Sequence, residues 1–457
     1  MEEFLNKAVP ISGVSEEERI ELLMGNPKRA LLKLSAPMVI NNIVFTLYNI
    51  ADAIWVAGLG AVALSALGIF FPLFMIFIAL SFGLSVASSS AVSRRIGARD
   101  LEGVRVVATH AFAMSVIVST LIMSLILQLE NAMRILGAEG EVLRLSLEYG
   151  SIMVLGSFFL VFNNVSAGLL NGEGNAKSSM YANVAGSLLN IVLDPVFIYV
   201  LSLGVAGAAY ASVLSLCISS AIFAYWFYSG KSYAKPYLCK WSWKTAFDLL
   251  RVGIPASIGM VIMSVSIIFV NRIILAIGGE EGVAIYTSVW RLMQIGFIPL
   301  FGISGALTAV SGASYGARSA KNLRKAYNYA LKLTLRINAL ILVFMLIFAP
   351  QISYIFAYTE ESSVIYEGLV SSLRILAFIL IFAPIGIVTS ATFQGMGKGE
   401  KALSLTVLRV STQVMLAYVL AIRLGIGFEG VLFGMVLGDA ISALLGFSWV
   451  KIEMSKV

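Results

Sequence analysis

The sequence predicts an all-α integral membrane protein of about twelve transmembrane helices, in two six-helix lobes related by a pseudo-two-fold axis along the membrane normal. Three observations predict it. Of 457 residues, 59% are hydrophobic and only 12% charged, with a mean hydropathy of +0.91. Apolar runs of about 20 residues, each long enough to cross a ~30 Å hydrocarbon core, recur along the whole chain. The second half repeats landmarks of the first.

The spans are expected near 35–57, 67–92, 105–128, 145–169, 179–203, 206–228, 253–277, 284–311, 328–348, 367–391, 403–423 and 430–450. Segments such as 69–86 are apolar on all sides, unlike the one-sided helices of a soluble core. This divides the chain into a cytoplasmic amino-terminal segment with a short helix (1–34), a first lobe (35–228), an inter-lobe linker (229–252), a second lobe (253–450) and a tail (451–457). The first 30 residues lack an apolar core and are rich in glutamate, so they are not a cleaved signal. Ser15 with Glu18 reads as a capping box opening the short helix.

The net charge of +7 is informative only through its placement. Arg94, Arg95, Arg99 and Arg105 follow the second span, Lys231, Lys235, Lys240, Lys244 and Arg251 lie between the sixth and seventh, and Arg318, Lys321, Arg324 and Lys325 follow the eighth. The alternate connections 58–67, 203–205, 278–282 and 350–363 carry no Lys or Arg. The positive-inside rule therefore puts both termini in the cytoplasm, and the plasma membrane is the expected location. The two cysteines, Cys217 and Cys239, fit neither a disulfide framework nor a metal site. His110, the lone histidine, is read as a packing or surface residue near the start of the third span.

A shift of about 219 residues brings Gly97-Ala98-Arg99 onto Gly316-Ala317-Arg318, and one near 223 brings Gly172-Glu173-Gly174 onto Gly395-Met396-Gly397. Six is an even number of spans, so the repeat is parallel, with a cavity expected where the lobes meet. The acids break the symmetry. Asp52 falls opposite Asn271, Asp194 opposite Ala417 and Asn190 opposite Gln413. A charge at mid-bilayer costs at least ~2.5 kcal/mol, so intramembrane acids point to an ion or proton site.

Counting 1.5 Å per residue puts Asp52 ~8 Å and Asp194 ~13 Å from the outer ends of their spans, with Ser212 ~10 Å and Tyr149 ~6 Å deep in theirs. Asn190 and Asp194, four apart, share a helix face, and Pro195 cannot donate to the Ile191 carbonyl. Carboxylate, amide, hydroxyl and carbonyl oxygens at one level suit a hard cation or a shared proton. Asn190 and Ser212 equally suit interhelical hydrogen bonding, and Tyr149 an interfacial belt. Asp439 is a third acid, in the other lobe; Arg272, Arg291 and Arg409 also enter apolar spans, where snorkelling or pairing with helix ends is expected.

The runs Leu34-Ser35-Ala36-Pro37 and Asn49-Ile50-Ala51-Asp52, with Ile96-Gly97-Ala98-Arg99, Gly172-Glu173-Gly174 and Leu189-Asn190-Ile191-Val192-Leu193-Asp194-Pro195, resemble the multidrug and toxic compound extrusion (MATE) transporters, archaeal branch. The resemblance spans about 25–450. It implies a V-shaped, outward-facing exporter of amphipathic, often cationic drugs or dyes in exchange for H⁺ or Na⁺. It also implies a cation-coupling site at Asp52, Asn190, Asp194 and Ser212, which would be the Na⁺ ligands if sodium is the ion, with Tyr48 and Tyr149 beside them and a helix bend at Pro37. The family's asparagine is replaced here by Ala167.

The drug cavity is expected to use Met38, Phe45, Met75, Met153, Asn163, Asn164, Met260, Met263 and Met293, since thioethers suit promiscuous binding. No cofactor beyond the coupling ion, no nucleic acid and no partner chain are expected: the protein reads as a monomer in lipid. The rival reading is a flippase for lipids or lipid-linked oligosaccharides, which would favour a cavity rich in cations. No phosphate-binding loop of the form GxxxxGK[ST] and no nucleophile–base set support an enzyme.

Overall fold

A computed structural model describes residues 16–229, 232–358 and 363–457. Among them every regular element is helical. Ser15 lies outside the described residues. The short helix α1 (Glu16–Met24) precedes α2 (Pro27–Ala57) and α3 (Ala61–Gly97), which are followed by α4 (Leu101–Ser124), α5 (Leu129–Ile135), α6 (Gly140–Leu155), α7 (Ser157–Gly172), α8 (Ala176–Pro195) and α9 (Gly204–Tyr228). The second half comprises α10 (Trp243–Gly316), α11 (Ala320–Ile347), α12 (Ala349–Tyr354), α13 (Tyr366–Leu376), α14 (Ile379–Gly395), α15 (Gly399–Tyr418) and α16 (Phe428–Met454).

Nine of the described helices are long and apolar enough to cross a membrane, and the pairs α6–α7 and α13–α14, bent by 46° and 44°, bring the number to eleven. The 74-residue α10 is broken at Gly279, whose φ of 60° and ψ of −157° are open only to glycine. Helix α2 begins at Pro27 rather than near 35 because Asn26 accepts from the Lys28 amide and Pro27 occupies the first turn, where its missing N–H costs nothing. Likewise α10 begins at Trp243, ten residues before the apolar run, because Ser242 caps it through Thr245 N–H. Both helices therefore start with a polar turn outside the apolar stretch, which hydropathy alone does not register.

The repeat is visible in backbone geometry. Arg99 and Arg318 both adopt left-handed φ, 57° and 50°, and Gly174 and Gly397 do so at 84° and 75°. The lobes meet along α3 and α10 at the end of the bundle that carries the basic loops. A Cβ on Gly97 would lie 2.0 Å from the Ala313 carbonyl oxygen, and one on Gly316 2.0 Å from that of Arg94, which is the same contact seen from each lobe. Gly83 abuts the Gly253 carbonyl, and Gly302 abuts Val39. An ion pair ties the two lobes there: the Arg94 guanidinium donates to both oxygens of Asp248 at 2.8 Å. Toward the other end of α2, Phe45, Ile50 and Ile54 are exposed. The lobes are closed at the basic end.

Candidate coupling site

Four helices bring the acids together. Pro37, Asn41, Tyr48 and Asp52 recur at helical spacing on α2, which packs on α8 and thereby aims Asp52 at Asp194. On α8, one turn separates Asn190 from Asp194, and the Asn190 Nδ2 donates to Asp194 Oδ1 at 3.2 Å. The same nitrogen donates to Ser212 Oγ on α9, also at 3.2 Å. The Tyr48 phenol lies against Ser212 and both carboxyls. Tyr149, from α6, lies beside Asp52, Asp194 and Tyr48 and is pinned edge-on to Phe70 at 5.5 Å. Asp194 is fully buried, Asn190 and Ser212 nearly so, and Asp52 half-buried.

The cluster is short of donors. Asp194 Oδ2 and Asn190 Oδ1 are both buried and receive no hydrogen bond from a fixed donor, and the Asp52 carboxyl lies within hydrogen-bonding reach of Asp194. A buried acceptor left unpaired costs about 1–3 kcal/mol, so two such oxygens beside a second carboxyl describe a place for a positive charge. Only two residues of the set are of the His, Cys, Asp or Glu type, and no group of three such residues that could hold a metal occurs among the described residues. Two carboxyls, an amide oxygen and hydroxyls suit a proton or a hard monovalent cation. Beyond Pro195 the helix continues as a π segment, Val196–Val200, and the Tyr199 hydroxyl donates to the Trp55 carbonyl, tying this segment to α2 just past Asp52. Pro195 has no N–H for the α pattern, so a register change there is what its chemistry dictates.

The cavity residues divide. Pro37, Met38, Asn164 and Ala167 line one cavity of about 220 Å³ with Asn41, Asn42, Asn171, Asn183 and, from the other lobe, Phe301 and Thr308. Where Ala167 stands the wall has no amide, while Asn171 offers an unpartnered buried oxygen. Phe45 and Met263 are exposed, and Met75 and Met260 half-buried. Met153 and Met293 are instead core residues, buried between helices. Asn163 is interhelical glue: its amide donates to the Leu216 carbonyl and its oxygen accepts from Ser220. Sequence reading missed Asn41 and Asn183; the signal for Asn41 was its place on the face of α2 that leads from Pro37 to Asp52.

In the second lobe, Asp439 is buried beside Gln413, with Oδ1 3.9 Å from Arg409 Nε. Arg409 thus neither snorkels nor pairs with a helix end. It faces Asp439 without a hydrogen bond, Arg409 Nε and Asp439 Oδ1 both being buried and unpartnered, and its Nη2 reaches Met263 Sδ at 3.3 Å.

The MatE family model matches residues 37–196 and 255–419, one copy in each half. Probable multidrug resistance protein YoeA of Bacillus subtilis is 24% identical over 454 residues, covering 94% of this chain and 96% of its own. Among solved structures, an outward-facing multidrug resistance MATE family transporter of the MOP superfamily is 44% identical with a TM-score of 0.92, over 98% of each chain. A MOP superfamily transporter from Pyrococcus furiosus, whose binding pocket of reverse polarity suggests a different function, is also 44% identical at a TM-score of 0.92, over 95% of this chain and 98% of that one. Two matched repeats on an all-helical two-lobed frame leave one assignment: the chain belongs to the MatE family of membrane transporters.

Proposed function

We propose that this protein exports amphipathic, often cationic drugs across the plasma membrane by alternating access, driven by H⁺ or Na⁺ taken up at Asp52, Asn190, Asp194 and Ser212. The observation that carries the reading is the pair of unpartnered oxygens, Asp194 Oδ2 and Asn190 Oδ1, beside Asp52. Counting the two arms of α10 separately gives twelve spans, and the positive-inside rule supports placing both termini and the basic closed end in the cytoplasm. The closed end then seals the cytoplasm while the acids lie in the outer half, open to the outside.

The chemistry follows from charge. With both carboxyls ionised the cluster is an expensive local anion that attracts a cationic drug; with a proton or Na⁺ shared between them it is not. An ion and a drug that favour opposite charge states of one site bias the conformational equilibrium in opposite directions, which is what antiport requires. Tyr48 and Tyr149 provide hydroxyls and exclude water, and Pro37, one turn before Asn41, is where α2 lacks a hydrogen bond and can bend. The cavity beside Pro37 is lined by neutral amides and Met38, a surface that accepts varied ligands. The test is purified protein in liposomes, with dye efflux followed under an imposed pH gradient and, separately, an imposed sodium gradient. Efflux under neither gradient would sink the coupling.

A further inference from the structure

The inter-lobe linker is stapled to the first lobe rather than slung between the two. Its first staple is Glu173, in the loop between α7 and α8, whose Oε2 accepts from Ser232 Oγ at 2.9 Å and from the Tyr233 amide at 3.0 Å. Thr109 of α4 forms the second staple, accepting from the Tyr237 amide at 3.1 Å. The third is His110, which is buried: its Nε2 lies 2.7 Å from the amide nitrogen of Ser242, and its ring lies against Trp241 at a 32° tilt with centroids 4.6 Å apart. Ser242 is also the residue that caps α10, the first helix of the second lobe. The last staple before the second lobe is therefore a histidine holding a helix cap.

That contact dictates the state of the ring. The Nδ1 atom lies 2.8 Å from the Val106 carbonyl oxygen, which can only accept, so Nδ1 carries the proton. The Ser242 amide can only donate, so Nε2 is bare and the imidazole is neutral. A proton added at Nε2 would face the Ser242 N–H donor to donor, and the bond would be lost. We infer that His110 is a cytosolic proton-sensitive latch on the hinge between the lobes: neutral, it clamps Ser242 and the first turn of α10 to the first lobe; protonated, it releases that turn, leaving Thr109 to hold the linker and the Arg94–Asp248 pair to hold α10 farther along.

Among the described residues no free carboxylate stands ready to hold the imidazolium in place. On α10, Asp248 is taken by Arg94, and Lys244 is exposed. On α3, Arg95 is paired with Asp100 at the start of α4, and on α4 itself Glu102 is exposed near the helix start while Arg105 lies over the Tyr237 ring at 4.6 Å. The linker adds Lys235, Tyr237, Cys239 and Lys240, and α7 has no ionisable residue. The surrounding charges are net cationic and disfavour a protonated ring, and the one favourable contact left to it is the Trp241 face, which does not restore the Ser242 bond. This latch is distinct from the ion site and does not depend on which ion drives export.

The chain has one histidine, so ¹⁵N-histidine labelling of tag-free protein in nanodiscs reads this ring alone. At neutral pH the spectrum should show the Nδ1–H tautomer, with Nε2 shifting to its protonated position on acidification. Spin labels at Glu102→Cys and Phe247→Cys, in a Cys217→Ser and Cys239→Ser background, report the hinge; their distance distribution should broaden as the ring is protonated. The His110→Gln variant, which keeps an acceptor that does not titrate, should remain narrow at both pH values. An Nε2–H tautomer at neutral pH overturns the latch. So does protonation without widening, or equal widening in His110→Gln.

Discussion

The Asn190 amide is committed to Asp194: its nitrogen donates to Oδ1 at 3.2 Å, while Oδ2 of the same buried carboxyl receives nothing. Because that nitrogen also serves Ser212, no donor within the amide is left to compensate. The site is built one positive charge short.

Removing either acid should therefore uncouple transport without unfolding the protein. Asp52→Asn and Asp194→Asn are each expected to abolish dye efflux from liposomes while eluting as monodisperse protein, since an amide can supply the missing donor that stabilises the cluster. Near-normal efflux by either variant would remove that acid from the coupling role.

The second acid behaves differently because a guanidinium, that of Arg409, already stands 3.9 Å from it. Asp439→Asn should leave ion-driven efflux intact. Arg409→Ala should instead destabilise the protein by about 3–5 kcal/mol, because it strands a buried carboxylate. Thermal unfolding of the two variants in detergent separates the cases.

The contact between the lobes leaves no room for a methyl group. Gly97→Ala would put a Cβ 2.0 Å from the Ala313 carbonyl oxygen, a backbone clash that costs about 1–3 kcal/mol or forces the lobes apart. Efflux is expected to fall, and cysteine accessibility at the basic end to rise. Gly316→Ala should reproduce both effects, because it makes the mirror contact with Arg94.

Glu173, which lies outside the spans, gives a pH signature. Burial pushes its carboxyl up from the usual range, and Arg19, Ser232 and the Ala234 and Tyr233 amides pull it only part of the way back. The folded state therefore keeps this proton to a higher pH than the unfolded chain does. Its contribution to stability is full below the unfolded carboxylate pKa and is lost as the pH rises through the folded value. Melting temperatures measured from acid to neutral pH should show this decline, and Glu173→Gln should flatten it. The same variant should also lower stability near neutrality by about 1–3 kcal/mol, since an amide nitrogen would oppose the donors that converge there.

How much of this could be read from the chain depends on the kind of interaction. Asp52 and Asp194 were legible because a carboxyl in an apolar run is costly wherever the helices pack, and Asn190 because one turn of helix fixes its neighbour. Depth counting grouped Ser212 and Tyr149 with them for the same reason: helical rise is nearly constant. Met153, Met293 and Asn163 were expected in the cavity yet are buried between helices, because hydropathy and residue type do not say which face of an all-apolar helix meets a neighbour. Arg409 was expected to snorkel or to pair with a helix end; its partner Asp439 is thirty residues away, a distance that only packing closes.

By itself the sequence determined the all-helical membrane class, the two-fold repeat, the one-sided placement of the acids and the basic loops. Each of these follows from local rules: transfer free energy per residue, helical rise, and glycine or left-handed turns at repeated positions. Tertiary structure alone decided that Gly97 and Gly316 seal one end of the cleft, that Arg409 serves Asp439, and that His110 and Glu173 bind the linker to the first lobe. Those are contacts between residues far apart in sequence, set by which helix faces meet, and no local energy specifies them.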